Sequence, residues 1–212
     1  MIKEVSNYKI SLDLKLVIKS YIKGRILDVG TGDGSKLDFI LKGSDFKEVL
    51  ALEPDSEKIV FAKRLFKNDG RVEFINTDVE HLSKDMGKFD VITMFEVIEH
   101  ISLNSLDDCI ERLKELLVED GIIIISSPNR YIYRMICNLN LEKPEPTHLS
   151  EMNWLDLRRF MKKYFKEQCL KGELPGMSIV RKFPVFYDLF SLLNKNFAHP
   201  AVSRAVYWIG KK

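Results

Sequence analysis

Glu96, Glu99 and His100, with His148 further along, are the side chains of this 212-residue chain best suited to moving a proton or holding a cation. The first three stand at i, i+3 and i+4, a spacing that sets them on one face of a helical turn. An imidazole exchanges its proton near neutral pH, so His100 suits the removal of a proton from a hydroxyl. Two carboxylates with two imidazoles are also a ligand set able to hold Mg²⁺, Mn²⁺, Zn²⁺ or Fe²⁺. Two alternatives stand beside the cation: His100 acting alone with Glu99 and His148 positioning it, or a purely structural His148. His81 and His199 have no evident partners in the sequence and read as surface or packing residues.

A second group lies upstream. Arg25 to Ser35 reads Arg-Ile-Leu-Asp-Val-Gly-Thr-Gly-Asp-Gly-Ser, an apolar run followed at once by Gly30, Gly32 and Gly34. That is a buried strand, a glycine turn and the start of a helix. Glycines at alternate positions let a ligand approach with no Cβ in the way, and the helix start offers unpaired N–H groups. A dinucleotide loop spaces its glycines G-x-G-x-x-G, whereas this one reads G-x-G-x-G with Asp28 before it and Asp33 inside it. Two carboxylates repel a pyrophosphate but suit a ligand with cationic and hydroxyl groups. Glu53 closes the next strand, 19 positions after Gly34, where a carboxylate can accept hydrogen bonds from both hydroxyls of a ribose.

The glycine loop with its preceding Asp resembles the first motif of the class I S-adenosylmethionine-dependent methyltransferases. The resemblance implies that Asp28, Gly30, Thr31, Gly32, Gly34, Glu53 and Pro54 hold the methyl donor. It also implies that Asp78 bonds the adenine amino group, that Val79 covers the ring, and that Phe95 and Glu96 meet the cofactor from the fourth strand. Asp78 has a second reading as a helix cap before Glu80 and His81. Glu-Val-Ile-Glu-His with a later His resembles two branches of that family, the ubiquinone-biosynthesis type O-methyltransferases and the small-RNA terminal 2′-O-methyltransferases. Both acceptors offer adjacent oxygens. The activity implied is methyl transfer to a small-molecule hydroxyl, with RNA ribose methylation, a catalytically silent cofactor-binding scaffold and a nicotinamide-dependent oxidoreductase as alternatives. Glycine spacing disfavours the last.

These residues need a frame to position them. Apolar runs at Ile26–Val29, Lys47–Glu53, Val72–Asn76, Phe89–Phe95 and Ile122–Ile125 predict parallel strands, with helices at Leu37–Leu41, Pro54–Phe66 and Leu103–Val118 between them. Such alternation predicts an α/β, Rossmann-like doubly wound sheet with right-handed crossovers. The resemblance makes it seven-stranded and mostly parallel, with an antiparallel last strand. A capping helix is expected over Tyr8 to Lys23, within residues 1–23. Tyr131 to Pro146 reads as a long irregular insertion, a lid or substrate wall over about 130–150. Beyond it come a helix from about Glu151 to Tyr164 capped by Ser150, a strand at Phe165–Lys171, an apolar helix at Pro184–Phe197 and a strand at Arg204–Ile209.

Length and composition suit a single domain over 1–212. Cys109, Cys137 and Cys169 are odd in number and widely spaced, so they predict neither a disulfide framework nor a zinc knuckle. With no apolar run of about 18 residues and no signal-peptide pattern, a cytoplasmic location is expected. The net charge of +2 conceals an excess of ten Lys and Arg over three acids from Met161 onward. That basic segment, with Phe186, Leu189, Phe190, Leu193 and Phe197 in its apolar helix, suits an apolar acceptor or a peripheral membrane contact, with ordinary core packing as the alternative. RNA would need a basic, aromatic-bearing groove or an added domain, so nucleic acid is not the expected partner.

Overall fold

A computed structural model describes residues 10–175 and 187–212. Its centre is a seven-stranded sheet of β1 (Lys23–Val29), β2 (Asp45–Leu52), β3 (Val72–Ile75), β4 (Phe89–Phe95), β5 (Leu117–Pro128), β6 (Lys166–Glu173) and β7 (Ala205–Lys211). The order is β3-β2-β1-β4-β5-β7-β6. The first five run parallel, and β7 lies antiparallel to both β5 and β6, as the resemblance implied. The chain starts at β1, moves out to β3 and returns to β4, so strand order reverses between β1 and β4. Ligands bind at such a switch point in open α/β sheets, beyond the carboxyl ends of the strands.

Strands buried on both faces divide their side chains between two layers. Leu27, Val29, Ile92, Met94, Ile123 and Ile125 pack with α4 (Leu103–Leu116) and α6 (Trp154–Met161). Ile26, Val91, Ile122 and Ile124 pack with α1 (Leu12–Lys19) and α2 (Ser35–Leu41). Helix α4 buries Leu106, Cys109, Ile110, Leu113 and Leu116, one face of a 3.6-residue period, and Ser102 caps it. Burial pushes the Cys109 thiol up to about 11, which keeps it an inert core residue.

Several expectations change in detail. The capping helix is shorter than Tyr8–Lys23, because the turn at Ser20 hands the chain to β1 at Lys23; Tyr8 lies outside the described residues. The insertion is not irregular throughout. Arg130–Asn138 forms α5, which buries Tyr133 and Ile136 and exposes Tyr131 and Met135; helix-breaking prolines begin only at Pro144. Asn153 rather than Ser150 caps α6, accepting from Leu155 N at 2.9 Å and Asp156 N at 3.0 Å. The apolar helix is described as α7 (Tyr187–Phe197), its expected start at Pro184 and Phe186 lying outside the described residues. Phe190 is buried, but Leu189, Leu192, Leu193 and Phe197 are exposed. Among the described residues no helix is long and apolar enough to cross a membrane.

Candidate functional site

The glycine bend links β1 to α2 at the switch point. Asp28 lies within the buried run of β1 at 3% exposure and accepts from Thr93 Oγ1 of β4 at 2.5 Å. Burial pushes its pKa up to about 6, against the Thr93 hydrogen bond and the Lys36 charge. Thr93 is a neighbour of Asp28 the sequence reading missed, although one polar residue within the otherwise apolar Val-Ile-Thr-Met-Phe was a visible signal. Gly30, Gly32 and Gly34 all have positive φ, and a Cβ on Gly32 would meet nothing within 4 Å, so the bend is open to a ligand there. A Cβ on Gly30 would strike Val97. Thr31 N donates to Leu52 O at 2.9 Å, tying the bend to β2.

Glu53 is 5% exposed and folds toward the bend, accepting from Gly32 N at 2.8 Å and from Asp55 N at 3.0 Å. A carboxylate offers about four lone-pair directions, so two remain for a vicinal diol. The carbonyls of Glu53 and Pro54 both accept from the Asn76 side chain. Asp78 caps the 3-10 turn Val79–His81, accepting from His81 N at 3.0 Å, while Val79 is buried beneath it. Here the capping reading holds, and His81 gains a partner that sequence did not suggest: its Nδ1 lies 2.6 Å from Asp78 Oδ1. His199 also gains one, capping the turn at Pro200–Val202 beside the Trp154 ring.

At the end of β4 the expected helical face does not form. Glu96 has φ 56°, and only Ile98–His100 makes a short 3-10 turn. Glu96 instead accepts from Ser126 Oγ at 2.8 Å and lies 3.8 Å from Arg204 Nη1. Phe95 is buried and its carbonyl accepts from Lys36 Nζ at 3.1 Å. The predicted four-residue ligand set contracts to three: one donor atom each from Glu99, His100 and His148 lie within 4.8 Å of one another. What brings His148 there is backbone. Leu149 N and Ser150 N both donate to Glu99 O, at 2.7 and 3.0 Å, and buried Ser150 Oγ donates to Ile98 O. Ser150 was expected to cap a helix; it pins the 3-10 turn instead.

Within this cluster Glu99 is fully buried and, among the described residues, neither carboxylate oxygen has a hydrogen-bond partner. Burial, aided by the Glu96 charge, pushes its pKa well above the ordinary carboxylate range. Burial likewise holds His100 below the usual imidazole range, opposed by a bond to the Thr147 carbonyl at 3.1 Å. Arg204, also unforeseen, stands at the mouth of β7 with Nε 3.0 Å from Glu142 Oε2, so it ties residues 139–153 to the sheet. Only the antiparallel direction of β7 delivers its first residues to the same edge as the carboxyl ends of the parallel strands.

A family profile described as a methyltransferase domain matches residues 14–164. The ubiquinone biosynthesis O-methyltransferase of Saccharomyces cerevisiae, a mitochondrial protein, is 33% identical over 108 residues, covering 50% of this chain and 34% of that protein. Over the curated relatives the chain covers between 34% and 64% of their own length. Among solved structures, the N-methyltransferase NodS of Bradyrhizobium japonicum in complex with S-adenosyl-L-homocysteine superposes with a TM-score of 0.66 at 11% identity, covering 94% of this chain and 84% of that one. A small RNA methyltransferase superposes with a TM-score of 0.71 at 14% identity, covering all of this chain and 27% of that one.

Proposed function

The chain belongs to the methyltransferase-domain family, and from that premise we propose that it transfers the methyl group of S-adenosylmethionine to a hydroxyl oxygen of a small-molecule acceptor. The observation that carries this reading is the meeting, across the β1/β4 switch point, of a carboxylate-flanked open bend with a Glu-His-His cluster. Asp28 and Glu53 hold the cationic amino acid and ribose portions of the donor, with Gly30, Thr31, Gly32, Gly34 and Pro54 shaping the contact. Asp78 and Val79 take the adenine, and Phe95 and Glu96 close the donor's other side. The donor supplies an activated methyl on a sulfonium; the chain holds the acceptor in line, excludes water and removes a proton. His100 is the base. Its depressed pKa keeps it neutral and able to accept the acceptor's proton.

As the alternative to His100 acting as base, with its lone pair a ligand instead, Glu99, His100 and His148 fit a divalent cation, Mg²⁺, Mn²⁺ or Zn²⁺. A buried carboxylate whose oxygens both lack a hydrogen-bond partner is costly unless protonated or paired with a cation, and the imidazoles beside it are suited ligands. A cation there would lower the pKa of an acceptor hydroxyl and orient two adjacent oxygens. Similarity to ubiquinone-biosynthesis O-methyltransferases supports a catechol-like acceptor. Likeness to a small RNA methyltransferase makes ribose 2′-hydroxyls the runner-up. The exposed leucines of α7 in a basic stretch support contact with an anionic membrane surface.

Calorimetry with S-adenosylhomocysteine tests the donor site: wild type binds, and Asp28→Ala and Glu53→Ala each lose at least tenfold in affinity. No binding to wild type defeats the reading. Labelled methyl donor offered with catechols, quinone precursors and short RNAs then separates the acceptors; donor binding without any methylation favours the silent scaffold.

A further inference from the structure

Two residues, Glu151 and Arg134, stand behind His148. His148 Nδ1 lies 2.9 Å from Glu151 Oε1, and Glu151 Oε2 accepts from Arg134 Nε of α5 at 2.9 Å. The His148 and Glu151 side chains are each only 9% exposed. Both carboxylate oxygens of Glu151 are thus engaged, one by the His148 ring and the other by the Arg134 guanidinium, and a carboxylate paired with a guanidinium is ionised. An ionised carboxylate only accepts hydrogen bonds, so the proton between the two belongs to Nδ1. Tyr133 packs its ring 5.2 Å from the His148 ring, and its hydroxyl accepts from Glu145 N at 2.8 Å, which restrains the imidazole plane.

We propose that Glu151, braced by Arg134, is a positioning residue that locks His148 in the Nδ1–H tautomer and so turns the Nε2 lone pair toward Glu99 and His100. His100 follows the same rule: its Nδ1 faces the Thr147 carbonyl at 3.1 Å and the Thr147 hydroxyl at 3.0 Å, whose own proton goes to Glu145 Oε1, so both accept and its lone pair is also on Nε2. The ligand-binding edge of the cluster is thus set by groups that never touch the ligand, and Arg134 couples it to α5. The assignment rests on the reading of Glu99, His100 and His148 as the reactive cluster.

Nitrogen-15 NMR of metal-free protein at pH 8 reads the tautomer directly, whether or not a cation binds. Wild type shows His148 as Nδ1–H; Glu151→Gln, whose amide oxygen still accepts, keeps that form; Glu151→Leu shifts it toward Nε2–H. An Nε2–H wild type, or an unchanged tautomer in Glu151→Leu, overturns the proposal. Mn²⁺ titration supplies a second readout, with affinity ten- to a hundredfold weaker in Glu151→Leu and largely restored in Glu151→Gln. Equal affinity in wild type and Glu151→Leu also overturns it. A wild type with the Nδ1–H tautomer that takes up no Mn²⁺ supports the positioning role and defeats the cation reading of the cluster.

Discussion

On the proposed donor-binding role of Asp28, its ionisation joins folding to donor binding, and the two are expected to respond to pH with opposite sign. Its folded pKa of about 6 lies above that of an unfolded aspartate, so the native state holds the proton more tightly. That preference leaves folding unpenalised below about pH 4 and costs up to about 3 kcal/mol above pH 6. Urea unfolding at pH 4.5 and 7.5 should show Asp28→Asn gaining about 2 kcal/mol more stability over wild type at the higher pH than at the lower. S-adenosylhomocysteine affinity should run the other way, weakening in wild type as pH falls through 6 and staying weak and flat in Asp28→Asn. The glycines separate on the same two measurements. Gly32→Ala places a Cβ in open space at φ 60°, so it should cost about 1–2 kcal/mol of stability and most of the donor affinity. Gly30→Ala drives a Cβ into Val97 and should lower the melting temperature more. The carboxylates and glycines of this bend were legible because they lie within a few residues of one another. Thr93, 65 positions from the Asp28 it holds, was not.

At the scale of elements, the segment between α5 and α6 shows what periodicity can and cannot report. Aromatics and two prolines made Tyr131–Pro146 read as irregular, yet Tyr133 and Ile136 find a buried surface and make Arg130–Asn138 helical. Residues 139–153 remain irregular and are held by the Arg204–Glu142 ion pair and by the Glu99 carbonyl. Glu142→Ala should open this segment, raising the rate of limited proteolysis within 139–149 severalfold while shifting the melting temperature little, because the pair is half-exposed. Unchanged cleavage would mean that the backbone bonds to Glu99 suffice. In contrast, Ile124→Ala removes a fully buried side chain from β5 and should cost about 2–5 kcal/mol by urea unfolding, leaving proteolysis of the native loop alone.

On the scale of the molecule, one edge of the sheet gathers the bend, the cluster and Arg204, and α7, tied by Asn194 to Gly172 and Leu174 at the end of β6, exposes an apolar ridge. If that ridge meets an anionic membrane, co-sedimentation with phosphatidylglycerol vesicles at low salt should fall several-fold in Leu189→Ser/Leu193→Ser with no loss of thermal stability; equal sedimentation would remove the contact. The alternation of strand and helix, the layered apolar runs and the G-x-G-x-G bend were determined by local sequence, since propensity, burial period and backbone freedom act over a few residues. Tertiary structure alone decided that Glu96, at φ 56°, is engaged by Ser126, that His148 meets His100 across 48 residues of chain, and that Glu151 and Arg204 stand behind them. Those contacts depend on the order and direction in which strands pair, a property of distant segments that no local spacing encodes.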